Sequence, residues 1–162
     1  MNLNSLRIKP AEPEEAEFLA NVILDADRDR LSEDPDWDEA AWLANLRAAA
    51  EREVAGKVEH SITSVIVLDG ERIGRLRVIL PGDEIHVAGI QIHPSYQGKG
   101  IGSKVLGIVI EEAETADLPV TLEVGKDNPD AKRLYERLGF QVAQDRKVRE
   151  LMRLSCPSGS TR

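Results

Sequence analysis

Cysteine is almost absent from this sequence, and basic residues are fewer than acidic ones. The chain has 162 residues and one cysteine, Cys156, so no disulfide can form within it and a reducing compartment is expected. There are 21 lysine and arginine residues against 29 aspartate and glutamate residues, which gives a net charge of −8. Because binding to nucleic acid requires a basic face, no nucleic-acid partner is expected.

Long apolar runs and metal-ligand spacings are also missing. No run approaches the ~20 residues of a membrane-spanning helix, and the opening segment MNLNSLRIKPAEPEE lacks the apolar stretch of a signal peptide. The three histidines are scattered, so no metal is expected, and no membrane partner either. These features predict a cytoplasmic protein with one domain over residues 1–154 and a flexible tail over residues 155–162.

Apolar periodicity and turn residues predict alternating strands and helices. Asp69-Gly70, between two β-rich runs, is a strong hairpin signal. The pattern predicts an α+β or mixed α/β domain with a sheet of six or seven strands. Strands are expected at 6–8, 61–68, 72–80, 84–92, 119–124, 140–144 and 147–154. Helices are expected from Pro13, from near Asp36 through Ala50 with Gly56 as the stop signal, at 101–116 and at 130–138.

Three glycines alternate where the apolar strand IQIHP (90–94) gives way to an apolar helix. Gly98, Gly100 and Gly102 would each cost about 1 kcal/mol inside a helix relative to alanine, which indicates a close approach to the backbone. A helix that begins at such a turn presents unpaired N–H groups and a partial positive charge, and phosphate is its usual ligand. The residue order excludes a P-loop, and the spacing excludes a dinucleotide fingerprint. A close helix–strand crossing without a ligand is the alternative.

The segment QGKGIG (97–102) resembles the acetyl-CoA site of the GNAT N-acetyltransferase superfamily. The segment NPDAKRLYERLGF (128–140) resembles the second hallmark of that family: an Asn, a helix that carries a Tyr, and Gly-Phe at the start of the next strand. The resemblance is strong over about 61–154 and weak over 1–60. It implies a mostly antiparallel sheet of six or seven strands, about four flanking helices, and a splay between the fourth and fifth strands.

The resemblance also implies acetyl-CoA as co-substrate. The glycine segment would hold the pyrophosphate, and the pantetheine arm would pair with the preceding strand, where the amide of Ile92 could polarise the thioester carbonyl. The residues implied in cofactor binding are Ile90, Ile92, Gln97, Gly98, Lys99, Gly100, Ile101, Gly102, Ser103, Asn128, Ala131 and Arg133.

Catalytic roles follow from the same resemblance. Tyr135 is the expected general acid, because attack on a thioester expels a thiolate that a nearby phenol can protonate; packing alone is the alternative for this side chain. His86 stands where several histone-modifying relatives carry a glutamate, and histidine titrates near neutrality, so it is the expected base. Glu84 is the alternative base, and a half-buried histidine that only bonds a neighbour is the other interpretation of His86.

The predicted reaction is direct transfer of an acetyl group to a primary amine in a ternary complex, since the sequence offers no nucleophile in a credible setting. The acceptor is a small-molecule amine or a protein amino group. The segment DADRDRLSEDPDWDE (25–39) holds eight acidic residues and two arginines, and one hypothesis is a lid that attracts a cationic acceptor such as a polyamine, an aminoglycoside or a lysine side chain. A solvated loop with Asp36 as a helix N-cap is the alternative.

Two competing functions remain open. One is a CoA-binding module that senses or regulates with little catalysis. The other is transfer of a different acyl group, such as succinyl or propionyl. Many relatives dimerise through their last strands, so a homodimer is a further hypothesis.

Overall fold

The computed structural model describes residues 1–155, so Cys156 and most of the predicted flexible tail lie outside the described residues. The strands are β1 (Arg7–Pro10), β2 (Ser61–Leu68), β3 (Glu71–Ile79), β4 (Ile85–Ile92), β5 (Val120–Gly125), β6 (Gln141–Asp145) and β7 (Arg149–Leu154). The α-helices are α1 (Ala16–Leu31), α2 (Glu39–Val54), α3 (Ile101–Ala116) and α4 (Pro129–Arg137), and short 3-10 helices occur at Leu3–Ser5, Pro13–Glu15 and Pro94–Tyr96.

The strands form one seven-stranded sheet in the order β1-β2-β3-β4-β5-β7-β6. β1 with β2, β5 with β7, and β6 with β7 are antiparallel pairs, whereas β4 with β5 is parallel. The β4–β5 register joins only Ile85–Val87 to Val120–Leu122, although β4 continues to Ile92. The predicted mixed α/β class and the splay between the fourth and fifth strands are therefore confirmed.

The chain forms two compact units, one of Met1–Arg77 with Gly89–Ile101 and one of Val78–Ala88 with the chain from Gly102 onwards. In the first unit, apolar side chains from α1, α2 and β2 form a buried cluster. Its members recur at helical spacing on the helices and on alternate residues of the strand, because each element turns one apolar face inward. The cluster consists of Ala16, Leu19, Ala50, Val65 and Val67.

The second unit buries one face of α3 and nearly all of β5. Val105, Val109 and Ala113 follow one another at four-residue spacing on α3 and are at most 3% exposed. β5 buries the apolar Val120, Leu122 and Val124 and also Thr121, as expected for a strand with neighbours on both sides. In residues 1–155, no helix is both long and apolar enough to cross a bilayer.

The boundaries of the first two helices differ from the sequence prediction. α1 continues to Leu31, so the first half of the acidic segment 25–39 is helical and not part of a connecting loop. The prediction of Asp36 as N-cap of α2 is wrong: Asp38 is the N-cap, and its side chain accepts a hydrogen bond from the Ala41 N–H at 3.1 Å. Asp38 has the extended backbone (φ −114°, ψ 104°) that an N-cap requires.

The Asp69-Gly70 hairpin is confirmed by its backbone. Asp69 has φ +51° and Gly70 has φ +82°, and two successive residues of positive φ are the signature of a type I′ turn. This turn joins β2 to β3 with a two-residue loop, and its twist matches that of the strands.

Gly74 in β3 is required by close packing, which gives a stability prediction. A Cβ there would lie 2.5 Å from the backbone carbonyl oxygen of Gln91, which cannot move without moving β4. We expect Gly74→Ala to lower the free energy of unfolding by about 1–3 kcal/mol, as overpacking does elsewhere. Urea denaturation measures this change.

Gly107→Ala is the matched control, because an added Cβ at Gly107 meets nothing within 4 Å. It should leave stability unchanged or raise it by up to about 1 kcal/mol, since alanine is the better helix former. A Gly74→Ala protein as stable as the parent would contradict the close packing.

Candidate active site

A glycine-rich turn connects the 3-10 helix Pro94–Tyr96 to α3. Gly98 has φ +73° and Gly100 has φ +81°, both in the left-handed region. Glycine adopts this conformation without the steric cost that a Cβ imposes. The backbone shape of the turn therefore explains two of the three alternating glycines.

Gly102 is explained neither by its backbone nor by its neighbours. It lies in the first turn of α3, where its φ is not positive. An added Cβ would meet only Leu134 Cδ2, at an ordinary 3.6 Å, and added Cβ atoms at Gly98 and Gly100 would meet nothing within 4 Å. Open space beside the amides of a helix N-terminus fits a bound anion such as a diphosphate.

The charges around this turn favour an anion. The first turn of α3 contains no acidic residue, and Lys99 and Lys104 are both exposed. The Gln97 side chain anchors the turn, because its Nε2 donates a hydrogen bond to the Ile92 carbonyl at 2.9 Å. The turn and the first turn of α3 therefore contain two lysines and no acidic residue, in a chain that is acidic as a whole.

The end of β4 presents main-chain groups on one side. The His93 N–H donates to the Ile73 carbonyl of β3 at 2.8 Å. Because successive residues of a strand direct their main-chain groups to opposite sides, those of Ile90 and Ile92 point away from β3. The pairing of β4 with β5 ends at Val87, so this stretch offers a strand edge to an extended amide chain.

Asn128 and its neighbours begin α4. Asn128 is the N-cap, and its Oδ1 accepts a hydrogen bond from the Ala131 N–H at 3.3 Å. Pro129 occupies the first helical position, where its missing N–H costs nothing. Arg133 is exposed and pairs with Asp130 on the same helix. Capping alone therefore explains the Asn-Pro start of this segment.

Tyr135 on α4 is 9% exposed and packs edge-to-face against Phe140, with ring centroids 6.1 Å apart. Its hydroxyl has no hydrogen-bond partner within residues 1–155. Burial raises the pKa of the Tyr135 phenol. A raised pKa keeps the phenol protonated at neutral pH, so this side chain can donate a proton but cannot act as a base.

Glu84 and His86 meet at a third residue, Thr121 of β5. The Thr121 hydroxyl donates a hydrogen bond to Glu84 Oε2, and it lies 2.8 Å from His86 Nδ1. The Glu84 carboxylate is 3.9 Å from the same ring nitrogen. The His86 side chain is 23% exposed, so it has both a partner in the sheet and an opening to solvent.

The other histidines have local roles. His93 ends β4, and its Nδ1 accepts a hydrogen bond from the Ser95 N–H at 3.1 Å, which makes it the N-cap of the following 3-10 helix. His60 lies 3.2 Å from the adjacent Glu59 carboxylate. Over the described part of the chain, no group of three or more His, Cys, Asp or Glu residues is placed to hold a metal ion.

The predicted site residues divide between the two units. Glu84 and His86 are brought together in one cluster of the second unit, and Gly102 approaches α4 through Leu134. The first unit holds Ile90, Ile92, Gln97, Gly98, Lys99, Gly100 and Ile101. The second unit holds Glu84, His86, Gly102, Ser103, Asn128, Ala131, Arg133 and Tyr135.

The structure adds a buried ionic network that sequence reasoning missed. The Arg75 side chain, 8% exposed, donates to Glu53 Oε1 at 3.0 Å and to Gln91 Oε1 at 2.9 Å. Burial lowers the pKa of the Arg75 guanidinium, and the Glu53 carboxylate opposes that shift. A Cβ on Gly89 would lie 2.5 Å from this guanidinium, which explains that glycine. The only sequence signal was an arginine at an inward position of an apolar strand.

The acidic segment is partly neutralised by its own arginines. Arg28 pairs with Asp25 at 3.0 Å and with Glu39 at 2.8 Å, and these two hydrogen bonds raise the pKa of its guanidinium. Arg30 pairs with Asp27 at 3.0 Å. The eight carboxylates of residues 25–39 still exceed the two arginines, so the negative charge of this surface remains.

Comparison with known proteins finds a family model that matches most of this chain. The model of the Acetyltransferase (GNAT) family matches residues 17–140. An N-alpha-acetyltransferase, RimI, of Mycobacterium tuberculosis is 36% identical over 100 residues, which cover 58% of this chain and 60% of that protein. The chain spans about half the length of the curated relatives it matches, with shares from 37% to 60%.

Two solved structures share the fold. PaiA N-acetyltransferase of Thermoplasma acidophilum in complex with coenzyme A has a TM-score of 0.77 and 16% identity, over 93% of this chain and 99% of that one. Spermidine N-acetyltransferase of Vibrio cholerae in complex with CoA and spermine has a TM-score of 0.66 and 20% identity, over 93% and 94% of the two chains. The GNAT fold expected from the glycine segment and from the segment 128–140 is thereby confirmed.

Proposed function

Because the chain belongs to the GNAT acetyltransferase family, we propose that it is an acetyl-CoA-dependent N-acetyltransferase that transfers the acetyl group directly to a primary amine. The observation that carries this proposal is the turn before α3. Two glycines there, Gly98 and Gly100, have a left-handed backbone and border open space, and a third, Gly102, is required neither by its backbone nor by its nearest neighbour, Leu134. That combination suits a diphosphate held against backbone amides.

Each part of the cofactor has residues that can hold it. The amides of Gln97, Gly98, Lys99, Gly100, Ile101, Gly102 and Ser103 would bind the pyrophosphate, and the main chain of Ile90 and Ile92 would pair with the pantetheine arm. Asn128, Ala131 and Arg133 would lie along the arm at the start of α4. When bound, acetyl-CoA supplies an acetyl group activated as a thioester.

Tyr135 is the proposed general acid. Its buried phenol stays protonated at neutral pH, because burial raises its pKa, and a thiolate leaving group requires a proton. The absence of a hydrogen-bond partner among residues 1–155 leaves the Tyr135 O–H free to donate to a ligand.

His86 is the proposed general base, and Glu84 is assigned to its support. An attacking amine must lose a proton, and an imidazole that is 23% exposed can accept it directly or through water. Glu84 is the weaker candidate, because its Oε2 already accepts the Thr121 hydroxyl. With an acid and a base in these roles, transfer needs no covalent intermediate.

A cationic amine is the proposed acceptor. Six net negative charges lie in residues 25–39, at the end of α1 and the start of α2. The relative from Mycobacterium tuberculosis is described as acting on α-amino groups, and the Vibrio cholerae structure contains spermine. Both acceptor classes carry positive charge in water, which an acidic surface attracts.

A thiol-release assay with acetyl-CoA and a panel of amines tests this function. We expect turnover with at least one polyamine or peptide amine, and weaker turnover with neutral amines of similar size. Added salt should raise the KM of a polyamine, because it screens exposed charges.

Calorimetry with CoA distinguishes an acetyltransferase from a CoA-binding module that has little catalysis. Heat of CoA binding without thiol release for any amine would favour the sensing or regulatory module. Absence of both heat and thiol release would overturn the assignment of this site to acetyl-CoA.

A further inference from the structure

The structure assigns a positioning role to Thr121, whose hydroxyl fixes the tautomer of His86 and leaves Nε2 as the proton acceptor; this inference rests on the proposed function. Thr121 is 6% exposed and lies between two buried apolar residues of β5. From the sequence alone it would therefore be assigned to the core. It is the direct register partner of His86 in the parallel β4–β5 pair, and the two side chains therefore share one face of the sheet.

The direction of the hydrogen bonds follows from counting protons. A threonine hydroxyl has one proton to donate, whereas an ionised carboxylate can only accept. The Thr121 proton goes to Glu84 Oε2, so the Thr121 oxygen can serve His86 only as an acceptor. His86 Nδ1, 2.8 Å away, must then carry a hydrogen.

A hydrogen on Nδ1 decides the chemistry of the other ring nitrogen. In the neutral ring only one nitrogen is protonated, so Nε2 holds the free lone pair. Within residues 1–155, no hydrogen bond or ion pair reaches His86 Nε2. Nε2 is therefore the ring nitrogen that can take a proton from the amine, while the Glu84 carboxylate lies 3.9 Å from Nδ1 on the other side of the ring.

The position of Thr121 between Glu84 and His86 also explains how these two side chains are held in one cluster. Glu84 immediately precedes β4 and His86 is the second residue of that strand, and Ile85 between them is buried on the opposite face. Thr121 links the two side chains across the strand pair, so that neither can turn away without losing a hydrogen bond. Thr121 is thus a positioning residue, and only His86 would touch the substrate.

Ring-nitrogen NMR of histidine-labelled protein tests the tautomer without any turnover. At a pH where the ring is neutral, His86 should show a protonated Nδ1 and an unprotonated Nε2, with His86→Gln used to assign the signal. Thr121→Val keeps the shape but removes the hydroxyl, and it should convert His86 to the other tautomer or to a mixture. Thr121→Ser should restore the parent spectrum.

Kinetics with the same variants tests the role in the reaction. We expect Thr121→Val to lower kcat about tenfold with the KM for acetyl-CoA unchanged, as expected for a lost hydrogen bond, and Thr121→Ser to recover the rate. A parent protein with the hydrogen on Nε2 would overturn the inference, even if Thr121→Val failed to fold. So would an active Thr121→Val enzyme with an unchanged kcat.

Failure of the proposed N-acetyltransferase function would give a different experimental result from failure of the Thr121 inference. In that case the parent releases no thiol with any amine, yet the His86 spectrum still reports the tautomer, because it requires no catalysis.

Discussion

Tyr135→Phe is expected to lower kcat by about 100- to 10,000-fold, the usual contribution of a general acid. The change removes one oxygen and leaves the ring in contact with Phe140. No residue within 1–155 bonds the hydroxyl, so the free energy of unfolding should change by no more than about 0.5 kcal/mol. The thiol-release assay and urea denaturation measure the two quantities.

The pH dependence of the parent enzyme gives a second view of the same phenol. Burial raises the pKa of Tyr135 above its ordinary value of about 10, so the acid form persists through neutral and mildly alkaline pH. Loss of rate from deprotonation of this group should therefore appear only above about pH 10. Tyr135→Phe should lack that alkaline step.

Tyr96→Phe is the matched control, because Tyr96 is the other tyrosine and its exposed hydroxyl bonds Glu71 at 2.9 Å. We expect its kcat to stay near that of the parent. Equal turnover in Tyr135→Phe and the parent would remove Tyr135 from the mechanism and leave it as a packing residue.

Gly102→Val is expected to weaken CoA binding by about 10- to 100-fold. A hydrogen bond to a charged group contributes about 1.5–3 kcal/mol, and a side chain at this position would keep at least one phosphate oxygen from the amides. The backbone accommodates a Cβ at this position, since φ is not positive and the nearest contact of that Cβ is a 3.6 Å approach to Leu134 Cδ2. Calorimetric titration with CoA measures the dissociation constant.

Gly107→Val on the same helix is the matched control. An added Cβ at Gly107 meets nothing within 4 Å, and its φ is not positive. The two variants therefore carry the same change in helix propensity but differ in distance from the α3 N-terminus. If both bound CoA as tightly as the parent, the pyrophosphate could not lie against Gly102.

Periodicity located most elements to within one or two residues, since alternating and helical apolar patterns report burial directly. β2 and α3 were predicted with their observed ends, Ser61–Leu68 and Ile101–Ala116. The α1–α2 connection was predicted poorly. Its acidic residues favour both a helix end and a solvated loop, and two aspartates, Asp36 and Asp38, competed for the N-cap.

In the candidate site, too, some features could be predicted from the sequence and others only from the structure. The glycine turn was recognisable because glycine at a strand–helix junction has few explanations, but only the structure separated two conformational glycines from Gly102. Thr121 and Arg75 could not be identified from the sequence. A threonine between two apolar residues of a strand is usually a packing residue of the core, and an arginine in a strand usually faces solvent. Only the structure shows the partners of Thr121 and Arg75.

The sequence by itself determined the family, the order of the elements and the glycine pattern of the turn before α3, because these depend on residues close together in the chain. The tertiary structure decided which side chains meet. Glu84 and Thr121 are far apart in sequence, and Glu53 and Arg75 belong to different elements. Such contacts arise from strand register and helix packing, which the pairing of the whole sheet sets and no local pattern encodes.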